Sequence, residues 1–220
     1  MTTGSWLLIA AGVLLLFGVG QRVLDKLRLT DRQALLVIAL MLALGFLPDI
    51  SLTPLVSVNL GGAVIPFILC LYLLAKAGSG AERARCVAAT LITAVAVFTI
   101  GRFFPADPAE MPFDINYLYG LAAGAIAYVF GRSRRGAFVA GTLGMLLADT
   151  ASAALVWREG IAQRLVLGGA GAMDTVVIAG FTAVLLAELA GELLERAARG
   201  RNRPGREFRN GEFVERERDE

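Results

Sequence analysis

The sequence predicts an all-α fold, a polytopic transmembrane helical bundle of about seven spans with its N-terminus outside and its C-terminus in the cytoplasm. Three observations carry that reading. Of the 220 residues 56% are hydrophobic and only 18% charged, and the mean hydropathy of +0.66 exceeds that of an ordinary soluble domain. The apolar residues fall in runs of helix length separated by short polar loops. Lys and Arg collect in every second loop, the asymmetry that orients inner-membrane proteins.

The first run, Leu7 to Val19, has no Lys or Arg before it and no small-residue cleavage site, so it reads as a retained helix rather than a secretory signal. The second, Gln33 to Leu47, has Thr30 and Asp31 as caps and stops at Pro48. At about 1.5 Å per residue it is short for a hydrocarbon core of ~30 Å. A third run, Leu55 to Ala75, contains Asn59, Gly61-Gly62 and Pro66, which predicts an interrupted or kinked helix. The fourth covers Cys86 to Phe104, Asp114 caps a fifth from Ile115 to Phe130, the sixth spans Gly136 to Trp157, and the seventh runs from Gly169 to Leu189.

Arg22, Lys26, Arg28 and Arg32 follow the first helix, Lys76, Arg83 and Arg85 the third, and Arg132, Arg134 and Arg135 the fifth. Asp49, then Asp107, Glu110 and Asp114, then the nearly neutral Arg158, Glu159 and Arg164 occupy the loops between, which places those loops outside. The organisation expected is a transmembrane domain over 1–195 and a charged tail over 196–220. The tail is basic from Arg196 to Arg209 and acidic from Glu212 to Glu220. Its apolar content is too low to fold alone, so it is expected to be disordered, with its basic part suited to anionic lipid or a cytoplasmic partner. The lipid bilayer of the inner membrane is the expected surrounding, and nucleic acid is not an expected partner.

The absence of histidine excludes Ser-His and Cys-His nucleophiles, zinc helices of the HExxH type and imidazole proton relays. Cys70 and Cys86 lack the CxxC spacing of metal or redox sites and read as small packing residues. Neither metal nor cofactor is expected.

Ionisable side chains inside a span are costly and mark function. Here they are Asp149 in the sixth helix, Asp174 in the seventh, and Glu188, which can snorkel to the cytoplasmic interface. The sixth helix runs outward and the seventh inward, so Asp149 and Asp174 should lie at similar depth in the outer half of the membrane. Small residues repeat every four positions on both helices, at Gly136, Ala140, Gly144, Ala148 and Ser152 and at Thr175, Ala179, Ala183, Ala187 and Gly191. Such ridges permit close helix approach; Gly120 and Gly124 form another on the fifth helix.

Two carboxylates in one dry pocket drive their protonation states apart. That arrangement suits an intramembrane aspartyl hydrolase, in which Asp149 and Asp174 activate water without histidine or metal. That is the leading reading; the alternatives are a small proton- or cation-coupled transporter using the same acidic residues, and a structural scaffold in which a proton shared by the pair, together with Thr142, Thr150 or Thr175, holds the two helices together. Asn59, Gly61, Gly62, Gly168, Gly169 and Gly171 would line such a site and shape an entrance from outside. An internal repeat would favour transport: Leu47-Pro48-Asp49-Ile50-Ser51 echoes Leu147-Ala148-Asp149-Thr150-Ala151, and Leu60-Gly61-Gly62-Ala63 echoes Leu167-Gly168-Gly169-Ala170.

At Val58-Asn59-Leu60-Gly61-Gly62-Ala63-Val64-Ile65-Pro66, at Gly141-Thr142-Leu143-Gly144 leading to Ala148-Asp149, and at Gly168-Gly169-Ala170-Gly171-Ala172-Met173-Asp174, the chain resembles the integral-membrane family of bacteria and archaea termed domain of unknown function 1614. The resemblance spans about Leu55 to Leu189 and implies a multi-spanning membrane protein, with no activity attached. A looser likeness is to intramembrane aspartyl proteases of the presenilin and prepilin-peptidase type, which carry one aspartate on one helix and Gly-x-Gly-Asp on a later one. In this chain Ala172 and Met173 separate Gly169-Ala170-Gly171 from Asp174, and Ala148 stands where that type has Tyr. On a continuous helix the two extra residues turn the aspartate by roughly 200° from the glycines.

Overall fold

The structure, a computed structural model, describes residues 31–103, 115–131, 133–170, 174–200, 206–209 and 212–215. The expected first helix, the acidic loop around Asp107, Glu110 and Asp114, and Gly171 lie outside the described residues. Contacts divide the chain into Met1–Ala187 and Glu188–Glu220.

The described chain is mostly helical. α1 covers Asp31–Gly45, α2 Ile65–Ala75, α3 Gly80–Phe103, α4 Ile115–Gly131, α5 Arg134–Arg158 and α6 Thr175–Gly200. Two of them, α3 and α5, are long and apolar enough to cross a membrane; the apolar parts of the others are shorter.

Local sequence explains the boundaries. Ser79 accepts the Glu82 backbone N–H at 3.1 Å, while the Glu82 carboxylate accepts the Gly78 N–H at 2.7 Å. These two caps start α3 six residues before the expected Cys86, because capping, not hydrophobicity, sets the first turn. Ser133, in an extended conformation, caps α5 by accepting the Gly136 N–H at 2.9 Å. Expected and observed ends agree to within about two residues for α4 and α5.

Two expected helices are corrected. The run from Leu55 begins as a strand, β2 (Val56–Val58), followed by a π-helical turn over Leu60–Val64 before α2 starts. Pro66 sits in the first turn of α2, where its missing N–H leaves no helical bond unmade; it opens that helix rather than kinking it. The seventh run begins late: its first residues, Gly169 and Ala170, continue a turn from Gly168 that follows a strand the sequence did not predict, β3 (Leu165–Leu167), and α6 starts at Thr175 rather than Gly169. With β1 (Ile50–Ser51) these strands form a three-stranded sheet in the order β1-β2-β3. β1 pairs antiparallel to β2, and β2 runs parallel to β3 with Val58 opposite Leu167. An all-α description is therefore incomplete: valines and leucines at these positions have strand propensity as well as the hydrophobicity that suggested spans.

In the first unit, small residues make the interior. Ala89, Ala127, Ala137, Ala140 and Ala183 form one buried cluster, while Ala123, Ala148 and Ala179 pack with Val97, Met145 and Val176 in another. The large aliphatics Leu91, Val95, Leu121, Val129, Leu147 and Leu185 face outward. That distribution reverses the soluble pattern and suits helices packed by close backbone approach in an apolar solvent. A Cβ at Gly124 would meet the Thr182 side chain at 2.5 Å, one at Gly141 the Ala179 carbonyl oxygen at 2.9 Å, and one at Gly144 the Thr93 side chain at 2.8 Å. The ridge on α5 thus splits, with Gly144 against α3 and Gly141 against α6. The Gly120/Gly124 ridge packs on α6, where position 120 lies against Ile178 and the Thr175 carbonyl.

In the second unit, the last turns of α6 are followed by an antiparallel ribbon of β4 (Arg206–Arg209) and β5 (Glu212–Glu215). Its register sets Arg206 opposite Glu215 and Arg209 opposite Glu212. A two-stranded ribbon alone has marginal stability in water.

Candidate functional site

α5 and α6 run antiparallel where they touch. Met145 and Ala148 cluster with Val176 and Ala179, Ala137 and Ala140 cluster with Ala183, and a side chain at Gly180 would meet Thr142 Oγ1. Following α5 forward by seven residues and α6 back by six brings Asp149 and Asp174 to the same level.

The two carboxyl groups are held differently. Asp174 immediately precedes α6 and is its N-cap. Its Oδ1 accepts the Val176 N–H at 3.0 Å and faces the Thr175 hydroxyl at 3.3 Å, while Oδ2 accepts the Ala170 N–H at 3.4 Å. Its own carbonyl accepts the Val177 and Ile178 N–H groups that open the helix. Because Asp174 precedes the helix, the expected 200° displacement from the preceding glycines does not apply. Asp149, in the middle of α5, is partly buried and accepts no hydrogen bond from the described residues.

Asn59 is the hub of the neighbouring strand-to-helix junction. It is 2% exposed. Its Oδ1 accepts the Gly61 and Gly62 N–H groups at 3.0 and 2.9 Å, and its Nδ2 donates to Asp49 Oδ1 at 3.0 Å and to the Leu47 carbonyl at 3.4 Å. Its backbone N–H donates to the Leu167 carbonyl at 2.9 Å, which ties β2 to β3. Asn59 thus caps the π-helical turn as Asp174 caps α6.

The glycines expected to line an entrance serve this junction. A side chain at Gly61 would strike the Met41 carbonyl and the Gly45 backbone of α1, so its bareness lets α1 and the π turn touch. Gly168 has φ of +70° and abuts the backbone of Gly62 and Ala63. Gly169 lies against Val166 of its own turn and is exposed. Thr175 opens α6, and Thr142 is fully buried with no well-formed hydrogen bond at Oγ1.

Two polar clusters escape a sequence reading based on acidic residues within spans. Arg164 donates from Nε and Nη2 to Ser57 Oγ, at 3.1 and 2.7 Å, and from Nη2 to Ser51 Oγ at 3.1 Å, pinning the loop after α5 to β1 and β2. The alternation in Val56-Ser57-Val58 is the only signal for it. At the opposite end of α5, Arg135 donates to the Lys76 carbonyl at 3.0 Å and pairs with Glu82 at 3.3 Å, joining the starts of α3 and α5 to the end of α2.

Among the described residues no group of three His, Cys, Asp or Glu side chains gathers to hold a metal ion. The arrangement offers a carboxylate accepting no hydrogen bond beside a capped one, next to two strand-turn-helix junctions. It can take up and release a proton or cation, or polarise a water between the carboxyls. No curated protein and no solved structure matches the chain, so the likeness to intramembrane aspartyl proteases gains no support there. The family model described as a protein of unknown function, DUF1614, matches residues 23–186, well over half of the chain, and the protein belongs to that family.

Proposed function

We propose that this protein is a multi-span inner-membrane protein, with the seven spans and the N-out, C-in orientation its loop charges imply, that carries protons or cations through a site centred on Asp149. The observation that carries the proposal is Asp149 itself: a carboxylate in the middle of a long apolar helix that accepts no hydrogen bond from the described residues. An intramembrane acid without a fixed partner is costly unless its partner is exchangeable, and protons and small cations are the exchangeable partners of a carboxylate. The setting supports it. β2 and β3 lie parallel, and each leads through an Asx-capped turn into a helix, so two helix starts are brought together by irregular backbone, as in transporters built from broken helices. Their register pairs Val58 with Leu167, two residues off the echo of Leu60 with Leu167, and Asp49 sits in a loop while Asp149 is helical, so the repeat extends only to the junctions.

An aspartyl hydrolase at Asp149 and Asp174 is the second reading, favoured by the matching level of the two carboxyl groups on antiparallel helices. It ranks below transport because Asp174 is committed to the start of α6.

The test is flux. Full-length protein reconstituted in liposomes enclosing a pH-sensitive dye is given a pH gradient, with and without a Na⁺ gradient. Flux above empty liposomes that disappears in Asp149→Asn is expected. Wild-type flux no greater than that of empty liposomes under either gradient overturns the proposal, and Asp149-dependent cleavage of membrane peptides without flux would favour the hydrolase.

A further inference from the structure

The geometry points to Thr142 as the mid-membrane proton relay that connects Asp149 to the Glu82–Arg135 end of α5. This deepens the transport reading and rests on it.

Arg135, Thr142 and Asp149 recur at intervals of seven residues on one helix. Each is displaced from the last by about 20° around the axis and about 10 Å along it, so all three share one stripe. The stripe faces α6 and α2. Position 180 of α6 lies against Thr142 Oγ1 and the Phe138 ring, and the Cys70 thiol of α2 lies beside Thr142 without closing a well-formed hydrogen bond. At one end of the stripe stands Asp149. At the other, Arg135 pairs with Glu82, whose side chain is partly exposed.

Thr142 is 0% exposed, and its hydroxyl closes no well-formed hydrogen bond, with the weakly bonding Cys70 thiol beside it. Threonines inside helices ordinarily satisfy that hydroxyl on the carbonyl four residues back, as Thr90 does on Cys86 and Thr150 on Leu146, at 2.8 and 2.7 Å. Thr142 does not. A buried hydroxyl left without a partner is a standing cost that a valine of the same shape would avoid. The α6 backbone also approaches that oxygen at a glycine. A hydroxyl without a strong partner, placed between Asp149 and the partly exposed Glu82 carboxylate, is suited to relay. It accepts a proton on an oxygen lone pair and releases its own hydroxyl proton on the far side, leaving unchanged. Water carries the proton between Asp149, Thr142 and Glu82.

The experiment uses the full chain in liposomes and four proteins: wild type, Asp149→Asn, Thr142→Val and Thr142→Ser. Removing a proton-transfer group should slow Thr142→Val by roughly a hundredfold, while Thr142→Ser stays within about threefold of wild type. Thermal melting of Thr142→Val should be unchanged or raised, which a packing role would not give. If Thr142→Val conducts like wild type while Asp149→Asn does not, the relay is refuted and the site at Asp149 stands. Loss of flux in Thr142→Val with lower melting and no rescue by serine also refutes it. Flux that follows Na⁺ and ignores the pH gradient refutes a proton relay, and no wild-type flux removes the reading beneath it.

Discussion

Replacing Asp174 separates its structural role from its charge. The carboxylate accepts the Val176 N–H at 3.0 Å, with a longer contact at 3.4 Å from Ala170. Alanine removes the acceptor and leaves an amide of the first turn of α6 unpaired, a loss of about 1 kcal/mol for an N-cap, or about 2–4 °C in melting temperature for a chain of this size. Asparagine keeps the acceptor at Oδ1 and caps about as well. It gives up only the attraction of a negative charge for the helix N-terminus, about 0.5 kcal/mol. Melting in detergent should therefore rank wild type, then Asp174→Asn slightly below it, then Asp174→Ala clearly lower. Flux should follow charge instead of capping, so both variants fall together. The reasoning fails at its first step if asparagine destabilises as much as alanine, and at its second if Asp174→Asn conducts normally.

Two further perturbations test the strand-to-helix junction. Asn59→Ala should lower stability by about 3 kcal/mol, because the Gly61 and Gly62 amides would lose their buried acceptor; Asn59→Asp keeps that acceptor but sets a second carboxylate against Asp49, so its melting temperature should fall as pH rises above the carboxylate range and recover on acidification, the sign of like-charge repulsion. Gly61→Ala forces a methyl into the Met41 carbonyl and the Gly45 backbone, which cannot rotate away, so a loss of at least about 1–3 kcal/mol is expected in chemical denaturation; wild-type stability would show that α1 does not pack there.

The helices α4 and α5 were legible in the sequence because their apolar runs have helix length and their ends carry polar boundaries. The strands were not. Leu55 to Val58 is apolar and short, and a hydrophobic run without periodicity does not distinguish a strand from the start of a span, while Leu165 to Leu167 fell in the loop ahead of the seventh run. What decides it is distant in sequence: the Leu165 N–H donates to the Leu55 carbonyl at 2.8 Å, and the Asn59 N–H to the Leu167 carbonyl. In the candidate site, the expectation of matched depth for Asp149 and Asp174 came from opposite helix directions and residue counts. The capping role of Asp174 did not, because it depends on α6 beginning one residue later. The exclusion of histidine chemistry depended on composition alone and needs no structure.

The junctions carry the strongest argument against a purely structural role. Within an apolar solvent every backbone N–H and C=O must find a partner in the protein, and a continuous helix does this without help. This chain instead breaks two apolar segments and spends specific residues to satisfy the backbone they free. Asn59 serves two amides, Asp174 caps α6, Ser57 and Ser51 receive Arg164, and Gly61 and Gly168 allow backbones to touch. Helix association alone would need none of it, since Gly120, Gly124, Gly141 and Gly144 already pack α3 through α6 closely. What the broken segments add is two helix starts brought together by β2 and β3 near an aspartate that accepts no hydrogen bond from the described residues, the placement on which the transport proposal rests.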